Sequence, residues 1–253
     1  MVRGVPTLLI SGASSGIGRE VALQAARQGT TVLVLGRRAA LLDELAAETG
    51  GRCIPIPVDV SDTAAAQRAV DRAVEATGRI DAALLNVGAG PSFNLAGGTA
   101  AEILHTMDAN YRVTVNMLVP LIAVMKRQRS GLIVHTNSLA GVNGTPMQGP
   151  YSAAKAACRL LIDTARIELK PYGVRLMSVY PGFVATDRVS DDGLPKPFEI
   201  SAADAAARIL RAMRGRRPDV LFPAPTATLV RALRMLPKSV AGRIMLRFTP
   251  PEY

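Results

Sequence analysis

The sequence predicts an α/β protein in which helices cover both faces of a parallel sheet, followed by a short amphipathic extension at the C-terminal end. Two observations support this fold class. Short apolar segments alternate along the chain with Ala-rich segments whose apolar residues recur at helical spacing. The apolar segments are also almost continuously hydrophobic, which indicates strands that are buried on both faces, as in a parallel sheet. This alternation is typical of a doubly wound sheet.

The predicted elements follow in chain order. Strands are expected at residues 7–11, 31–35, 53–58, 83–86, 132–136, 174–180 and, with a weaker pattern, 219–222. Helical spacing is clearest at residues 18–28, 40–48, 63–77 and 153–169. Neither an internal repeat nor a linker divides the body of the chain. We therefore predict one domain over residues 1–222 and an extension over residues 223–253.

The composition excludes several classes of protein. Apolar residues make up 49% of the chain and charged residues 20%, which is typical of globular rather than disordered or fibrous proteins. The two cysteines, Cys53 and Cys158, cannot build a disulfide framework, and neither lies in a CxxC motif. The longest apolar run contains Pro120 and is shorter than the roughly 20 residues that a membrane span needs. Because the N-terminus also lacks the pattern of a signal peptide, we expect a cytoplasmic protein.

The positive charge of the chain is concentrated near its C-terminal end. The net charge is +10, and the segment after residue 204 contains ten basic side chains against only Asp219 and Glu252. Nucleic-acid binding is not expected, because the chain has no Trp and this segment offers few aromatic side chains for stacking on bases.

The extension allows more than one interpretation. Apolar side chains gather on one side of a predicted helix, and Arg231 and Arg234 lie on another. A basic amphipathic helix can lie on an anionic membrane, which would give weak peripheral association, or cover the mouth of an apolar substrate site. Packing on its own body or on another subunit is the commoner arrangement for such a helix, and we expect that one here.

A glycine-rich turn joins the first predicted strand to the first helix. In the segment SGASSGIGRE, Gly12, Gly16 and Gly18 allow the backbone to turn tightly and to approach a pyrophosphate at the start of the helix. Ser14 and Ser15 add hydroxyl donors. The spacing is GxxxGxG rather than the more familiar GxGxxG, so the position between strand and helix is what predicts a dinucleotide site.

The end of the second strand predicts which dinucleotide is preferred. Gly36 stands where an NAD site usually has an acid for the ribose diol, and Arg37 and Arg38 follow at the start of the next helix. The helix dipole disfavours cations at that position unless an anion binds there. We therefore predict NADP(H), whose 2′-phosphate suits a guanidinium, over the alternative that both arginines are simply solvated. After the third strand, Asp59, followed by Val60, either accepts from the adenine amino group or caps a helix.

The motif YSAAK predicts the catalytic groups. Its spacing puts Tyr151 and Lys155 on one face of a helix, one turn apart. A free phenol titrates near pH ~10, and a neighbouring ammonium favours its ionised form. Ser138 follows a strand and can hold the substrate oxygen while Tyr151 transfers the proton. A lone Tyr-x-x-x-Lys is usually structural, but here it follows the glycine loop in the order that hydride transfer from a nicotinamide needs.

These motifs, in this order, resemble the short-chain dehydrogenase/reductase family over nearly all of residues 5–222. The resemblance implies a Rossmann-type sheet and a hydride-transferring enzyme. It also implies that Asn110 completes a tetrad with Ser138, Tyr151 and Lys155, and that Asn110 holds a water on the proton path behind the lysine.

The resemblance implies further contacts with the cofactor. It links Arg37 to NADP, and it places residues 180–186 beside the nicotinamide carboxamide. The family's Asn-Asn-Ala-Gly motif appears here as Leu-Asn-Val-Gly at residues 85–88, which removes one supporting hydrogen bond. Together, the residues and the resemblance predict these cofactor contacts: Gly12, Ser14, Ser15, Gly16, Ile17, Gly18, Arg37, Arg38, Asp59, Val60, Asn86, Gly88, Tyr151, Lys155, Pro181, Gly182, Val184 and Thr186.

The substrate is predicted only as a class. Residues 187–200 form an expected lid, because they include a glycine and two prolines. The side chains expected to line an apolar pocket are Phe93, Met147, Phe183, Leu194 and Phe198. A hydrophobic ketone or alcohol is therefore expected, and an NADP cofactor favours carbonyl reduction.

Three further expectations concern partners and alternatives. Small and apolar residues in the helices around residues 110–126 and 153–169 favour a homodimer or homotetramer, although the same residues suit internal packing. His105 and His135 lack partners at metal-ligand spacing, so no metal site is predicted, and His135 is expected in the core. The alternative function is a protein that senses NADP(H) without chemistry, which the intact catalytic residues oppose.

Overall fold

The computed structural model describes residues 6–186 and 196–246, and it is built on a seven-stranded parallel sheet. In chain order the strands are β1 (Thr7–Ser11), β2 (Thr31–Gly36), β3 (Cys53–Pro57), β4 (Ala82–Leu85), β5 (Gly131–Thr136), β6 (Val174–Pro181), β7 (Val184–Ala185), β8 (Ile200–Ser201) and β9 (Asp219–Phe222). The main sheet has the order β3-β2-β1-β4-β5-β6-β9, while β7 and β8 pair with each other. All neighbours in the main sheet are parallel.

Helices connect the strands and cover the sheet. The α-helices are α1 (Gly16–Arg27), α2 (Ala39–Glu48), α3 (Thr63–Thr77), α4 (Ala100–Met107), α5 (Val113–Gln128), α6 (Gly149–Glu168), α7 (Ala202–Met213), α8 (Ala224–Met235) and α9 (Lys238–Leu246). A five-residue π-turn over Asp108–Arg112 joins α4 to α5. In the described part of the chain, none of these helices is long and apolar enough to span a bilayer.

The predicted fold class is confirmed, including the weaker seventh strand. Each of the seven predicted strands begins and ends within one residue of its observed bounds. Helix α6 differs more, because it begins at Gly149 rather than near residue 153. Pro150 suits the first turn of a helix, since its missing N–H has no intrahelical partner there anyway. Tyr151 therefore lies in the first turn of α6.

The sheet separates two hydrophobic layers. Leu8 and Ile10 of β1 lie in the layer formed with α1 and α7, whereas Leu9 lies in the layer formed with α3, α5 and α6. All three side chains are completely buried. Burial on both faces explains the continuous hydrophobicity of the strands.

The strand order determines where a ligand can bind. The chain winds outward from β1 to β3, then crosses back so that β4 lies on the other side of β1. At such a reversal, the loops after neighbouring strands diverge to opposite faces and leave a crevice at the carboxyl ends. The loops after β1, β4 and β5 all lie at this edge, and they contain several of the predicted site residues.

Candidate active site

The glycine loop after β1 has the geometry that its sequence predicts. Gly12 and Gly16 have φ angles of 75° and 53°, a region that favours glycine. At Gly18 the reason is different, because a Cβ there would overlap the carbonyl oxygen of Gly12 and lie 2.8 Å from Asn86 Nδ2. Glycine at these positions lets α1 start directly against the end of the sheet.

The first turn of α1 is suited to an anion. Ser15 is the residue before the helix, and no side chain caps the first turn. The guanidinium of Arg38 lies over this turn, where it donates to Ser14 Oγ at 3.0 Å and to Ser15 Oγ at 2.8 Å. Hydroxyl groups, helical N–H groups and a cation therefore converge at one point, which fits a phosphate of a dinucleotide.

The two adjacent arginines have different surroundings. The Arg37 side chain is 72% exposed, and its Nη1 lies 3.9 Å from Asp59 Oδ2. Asp59 Oδ1 accepts the N–H of Ser61 at 3.0 Å. This hydrogen bond, together with the charge of Arg37, holds the pKa of Asp59 below its ordinary value. The cap of α3 is Asp62, which accepts from the N–H of Ala65, so the capping alternative for Asp59 does not hold.

Three of the predicted cofactor contacts are apolar residues of the core. Val60 and Val184 are each 5% exposed, and Ile17 packs against the same layer as Val184. The side chains of Val60 and Val184 are therefore buried in packing, whereas that of Ile17 is half-buried.

Asn86 connects the end of β4 to the glycine loop. Its N–H donates to Ser11 Oγ at 3.2 Å, and its Nδ2 donates to the carbonyl oxygen of Gly12 at 3.4 Å. Ser11 therefore makes this connection with its hydroxyl group. Leu85, at the position of the missing Asn, is 3% exposed and packs in the layer with α3 and α5.

Asn110 holds the loop after β4 from within the π-turn. This residue is completely buried, and its Nδ2 donates to the carbonyl oxygens of Ala89 at 2.7 Å and Thr106 at 2.9 Å. Its Oδ1 accepts the N–H of Ala89 at 3.2 Å. The side chain thus binds both backbone polar groups of Ala89. The backbone carbonyl oxygen of Asn110 accepts a hydrogen bond from the hydroxyl group of Thr114 at 2.7 Å.

Lys155 lies at the centre of the site. It is 3% exposed, and its Nζ donates to the carbonyl oxygen of Thr136 at 2.9 Å. The same Nζ lies 5.6 Å from the centre of the Tyr151 ring. A Cβ on Gly88 would be 3.1 Å from Lys155 Nζ and 2.7 Å from Asn110 Oδ1. Gly88 therefore lets the lysine and the asparagine approach the same stretch of backbone.

Two residues at the site were not predicted from the sequence. A Cβ on Gly90 would lie 3.0 Å from the Tyr151 ring, so the backbone of Gly90 packs flat against that ring. Asn137 donates to the carbonyl oxygen of Lys155 at 3.0 Å, and its Oδ1 accepts the N–H of Ser138 at 2.8 Å. The second glycine in Gly-Ala-Gly was a visible signal, whereas Asn137 had none.

Ser138 is positioned by backbone contacts at the end of β5. Its Oγ accepts the N–H of Ala140 at 3.2 Å, and a short 3₁₀ turn over Leu139–Gly141 follows. Through Asn137 this turn is joined to α6 at Lys155. The structure thus brings together the segments that contain Asn110, Ser138 and Lys155.

The segment after β6 closes the site on the other side. The N–H of Gly182, which follows Pro181, donates to the carbonyl oxygen of Phe222 at 2.8 Å. The methyl carbon of Thr186 lies 3.1 Å from the position that a Cβ on Gly16 would take. This segment therefore lies against the glycine loop.

The predicted apolar pocket is described only in part. The N–H of Phe93 donates to the carbonyl oxygen of Met147 at 2.7 Å, so these two residues lie together. Phe183 is 37% exposed and Phe198 is 57% exposed. Leu194 and the lid residues 187–195 lie outside the described residues.

His135 is in the core, as predicted, where burial and then the charge of Lys155 place its pKa well below the ordinary value.

No group of His, Cys, Asp and Glu that could hold a metal ion occurs in residues 6–186 and 196–246. The site instead combines a phosphate cradle, a buried ammonium, a phenol and a hydroxyl group at one edge of the sheet. Such an arrangement can bind a dinucleotide and exchange a proton with a substrate oxygen.

The chain is similar to known proteins in sequence and in fold. The family described as short chain dehydrogenase matches residues 6–194. The chain is 37% identical over 194 residues to an A-factor type gamma-butyrolactone 1'-reductase of Streptomyces virginiae, covering 72% of this chain and 73% of the relative. It is 34% identical to an L-rhamnose 1-dehydrogenase (NAD(P)(+)) of Azotobacter vinelandii, covering 74% and 76%. A solved short chain dehydrogenase of Burkholderia cenocepacia in complex with NADP has a TM-score of 0.85 and 25% identity, covering 99% of this chain and 100% of that chain.

Proposed function

The chain belongs to the short-chain dehydrogenase family, and we propose that it transfers a hydride between NADP(H) and a hydrophobic carbonyl or alcohol substrate. The buried ammonium of Lys155 is the observation that best supports this chemistry. In the described ranges no carboxylate pairs with it. Its Nζ lies 5.6 Å from the centre of the Tyr151 ring, close enough for the role that we assign to it in the reaction.

Each catalytic residue has a separate role in the proposed reduction. Bound NADPH supplies the hydride to the carbonyl carbon. Tyr151 donates its hydroxyl proton to the carbonyl oxygen, and Ser138 donates a hydrogen bond to the same oxygen. Lys155 stabilises the phenolate that Tyr151 becomes until a proton is returned from solvent. In the oxidation of an alcohol, the same groups act in reverse.

Asn110 has a positioning role in this proposal. Its three hydrogen bonds to Ala89 and Thr106 hold the loop that packs against Tyr151 and Lys155. We assign it in addition the role that the family resemblance implies, which is to support a water that returns protons to Lys155.

The preference for NADP(H) rests on two cations at the end of β2. Arg38 lies over the first turn of α1, and Arg37 is exposed beside it. Gly36 offers no carboxylate for a ribose diol. The relatives do not decide the preference, because one solved member is a complex with NADP and another is a complex with NAD.

We also propose a homodimer or homotetramer formed through α5 and α6. Large apolar side chains on the outer faces of α4, α5 and α6 are exposed by more than half: Leu104 by 64%, Val119 by 59%, Leu160 by 59% and Ile167 by 77%. Burial of such side chains in a subunit interface would remove them from water.

A cytoplasmic location and a hydrophobic substrate are also part of the proposal.

The test of the reaction is Tyr151→Phe. The variant keeps the ring that packs against Gly90 and loses only the hydroxyl group. We expect NADPH affinity, measured by the fluorescence of the bound dinucleotide, to be unchanged. We expect turnover in a spectrophotometric screen of aldehydes, ketones and alcohols to fall by roughly 100-fold or more, since positioned proton transfer contributes about that much.

The matched control is Tyr172→Phe, which removes a hydroxyl from a ring that lies under Lys126, 4.3 Å from its Nζ, away from the site. Its turnover should equal that of the wild-type protein. If the wild-type protein binds NADPH but neither oxidises NADPH nor reduces NADP⁺ with any compound of the screen, the sensing function replaces the proposed reaction.

A further inference from the structure

The two C-terminal helices contain few fully buried residues. In α8 the buried residues are Thr226 and Ala227, both in the first turn. One turn further, the carbonyl oxygen of Val230 accepts from Asn143 Nδ2 at 3.0 Å. Helix α9 has no buried residue at all among its nine. We call α8 and α9, residues 224–246, the C-terminal helix pair. The start of α8 is therefore fixed to the body, whereas the rest of the pair is at most half-buried.

Several large apolar side chains of the pair are exposed to solvent. Leu229 and Met235 of α8 are 45% and 87% exposed, and Leu236, which directly follows the helix, is 39% exposed. In α9, Val240 and Leu246 are 39% and 67% exposed. A helix of a soluble protein usually presents charged and polar residues on its outer face. These exposed apolar side chains therefore need a partner that is not among the described residues of this chain.

The charges of the pair indicate the chemistry of that partner. Its helices contain Arg231, Arg234, Lys238 and Arg243 and no acidic residue. The same face of a second copy would bring equal positive charges together, which disfavours a symmetric contact between copies. An anionic bilayer combines negative headgroups with an apolar interior, and long basic side chains can reach the headgroups while their stems stay in the apolar region.

We propose that the C-terminal helix pair docks on an anionic membrane surface, with its exposed apolar side chains inserted between the headgroups. The pair adjoins the catalytic edge of the sheet. Ala227 packs with Leu139, which directly follows Ser138 in the chain. Docking therefore holds the substrate side of the site at the membrane, where hydrophobic ketones and alcohols dissolve. This last step, unlike the docking itself, rests on the proposed function.

The experiment is co-sedimentation of the full chain with vesicles, without substrate or cofactor. One set of vesicles contains phosphatidylglycerol and phosphatidylcholine, and the other contains phosphatidylcholine alone. We expect binding to the anionic vesicles and little binding to the neutral ones. Met235→Glu should weaken binding by roughly ten-fold or more, because an apolar side chain is replaced by a charge of the same sign as the lipids. Ala64→Glu, at an exposed apolar position on α3, is the matched control and should bind normally.

A second pair of variants tests the charges. Arg234→Gln with Lys238→Gln should weaken binding to anionic vesicles by roughly thirty-fold, since each basic residue near such a surface contributes about five-fold. Arg68→Gln with Arg72→Gln, two exposed arginines at the same spacing on α3, should have no comparable effect. Equal binding by the wild type and Met235→Glu overturns the proposal, as does an absence of binding to anionic vesicles. A dimer in solution that Met235→Glu dissociates also overturns it, in favour of a second copy. NADPH turnover on a water-soluble substrate, measured in the same variants, reports separately on the proposed reaction.

Discussion

Replacement of Arg38 by alanine is expected to weaken the binding of NADPH and to leave the binding of NADH unchanged. The guanidinium of Arg38 donates to the hydroxyl groups of Ser14 and Ser15, at the start of a helix with no side-chain cap. A 2′-phosphate bound there would accept the same N–H groups. Hydrogen bonds to charged groups contribute about 1.5–3 kcal/mol each, and about 1.4 kcal/mol is a factor of ten. The loss is therefore between roughly ten-fold and one hundred-fold, and solvent at this exposed position favours the lower value.

The assay measures dissociation constants of NADPH and NADH by fluorescence, for the wild type and for three variants. Arg37→Ala should have a smaller effect on NADPH than Arg38→Ala, because Arg37 is 72% exposed and lies 3.9 Å from Asp59. Arg37→Asp should still shift the preference toward NADH, because it places a carboxylate near the ribose. Arg68→Ala, an exposed arginine on α3, is the control and should change neither constant.

Two outcomes would refute this reasoning. If Arg38→Ala weakens NADPH and NADH equally, the arginine supports the glycine loop instead of binding a 2′-phosphate. If neither Arg37 nor Arg38 affects the preference, the end of β2 does not select the cofactor. A rise in ionic strength offers an independent check, because contact with a doubly charged phosphate is screened more strongly than contact with a diol.

Two further predictions concern stability. Gly18→Ala should destabilise the fold by about 1–3 kcal/mol and weaken NADPH binding strongly, because the new methyl group would overlap a carbonyl oxygen of the loop. Gly97→Ala, in a loop with open space around it, should change neither the free energy of unfolding in chemical denaturation nor the dissociation constant of NADPH. Burial, and then the charge of Lys155, place the pKa of His135 well below its ordinary value, so below pH ~6.5 the unfolded chain binds a proton that the folded chain does not. The free energy of unfolding should then fall by up to about 1.4 kcal/mol per pH unit as the pH decreases. Chemical denaturation between pH 8 and 5 measures this slope. His135→Phe should lose the slope, and the control His105→Gln, at an exposed site, should keep it.

The sheet could be predicted from the sequence because its physical basis is local. Each strand is a continuous apolar run that both layers of helices bury, and each helix repeats its apolar residues at its own spacing. The first turn of α6 is harder to predict, because Gly149 and Pro150 have low helical propensity and Pro150 is tolerated only in the first turn of a helix. Helical spacing is clear in the sequence only from residue 153, four residues after the helix begins at Gly149.

The site could be predicted only where one short segment contains its chemistry. The glycine loop and the Tyr151–Lys155 pair are segments of this kind. The distinction between Arg37 and Arg38 depends on which of the two side chains turns toward the loop after β1, and adjacent positions in a sequence do not contain that information. The role of Asn137 could not be predicted either, because its partner on α6, the carbonyl oxygen of Lys155, is distant in the chain.

The contacts around Leu85 show why a departure from the family motif is compatible with this site. The groups that hold the catalytic residues are mostly backbone atoms, such as the carbonyl oxygen of Thr136 for Lys155 and both polar groups of Ala89 for Asn110. Such partners exist whatever side chain stands at position 85. Leu85 itself is buried in a hydrophobic layer, so its apolar side chain contributes to packing instead of leaving a polar group unsatisfied. The hydrogen bond that the motif loses is therefore replaced by burial, while Asn110 keeps the loop beside the lysine.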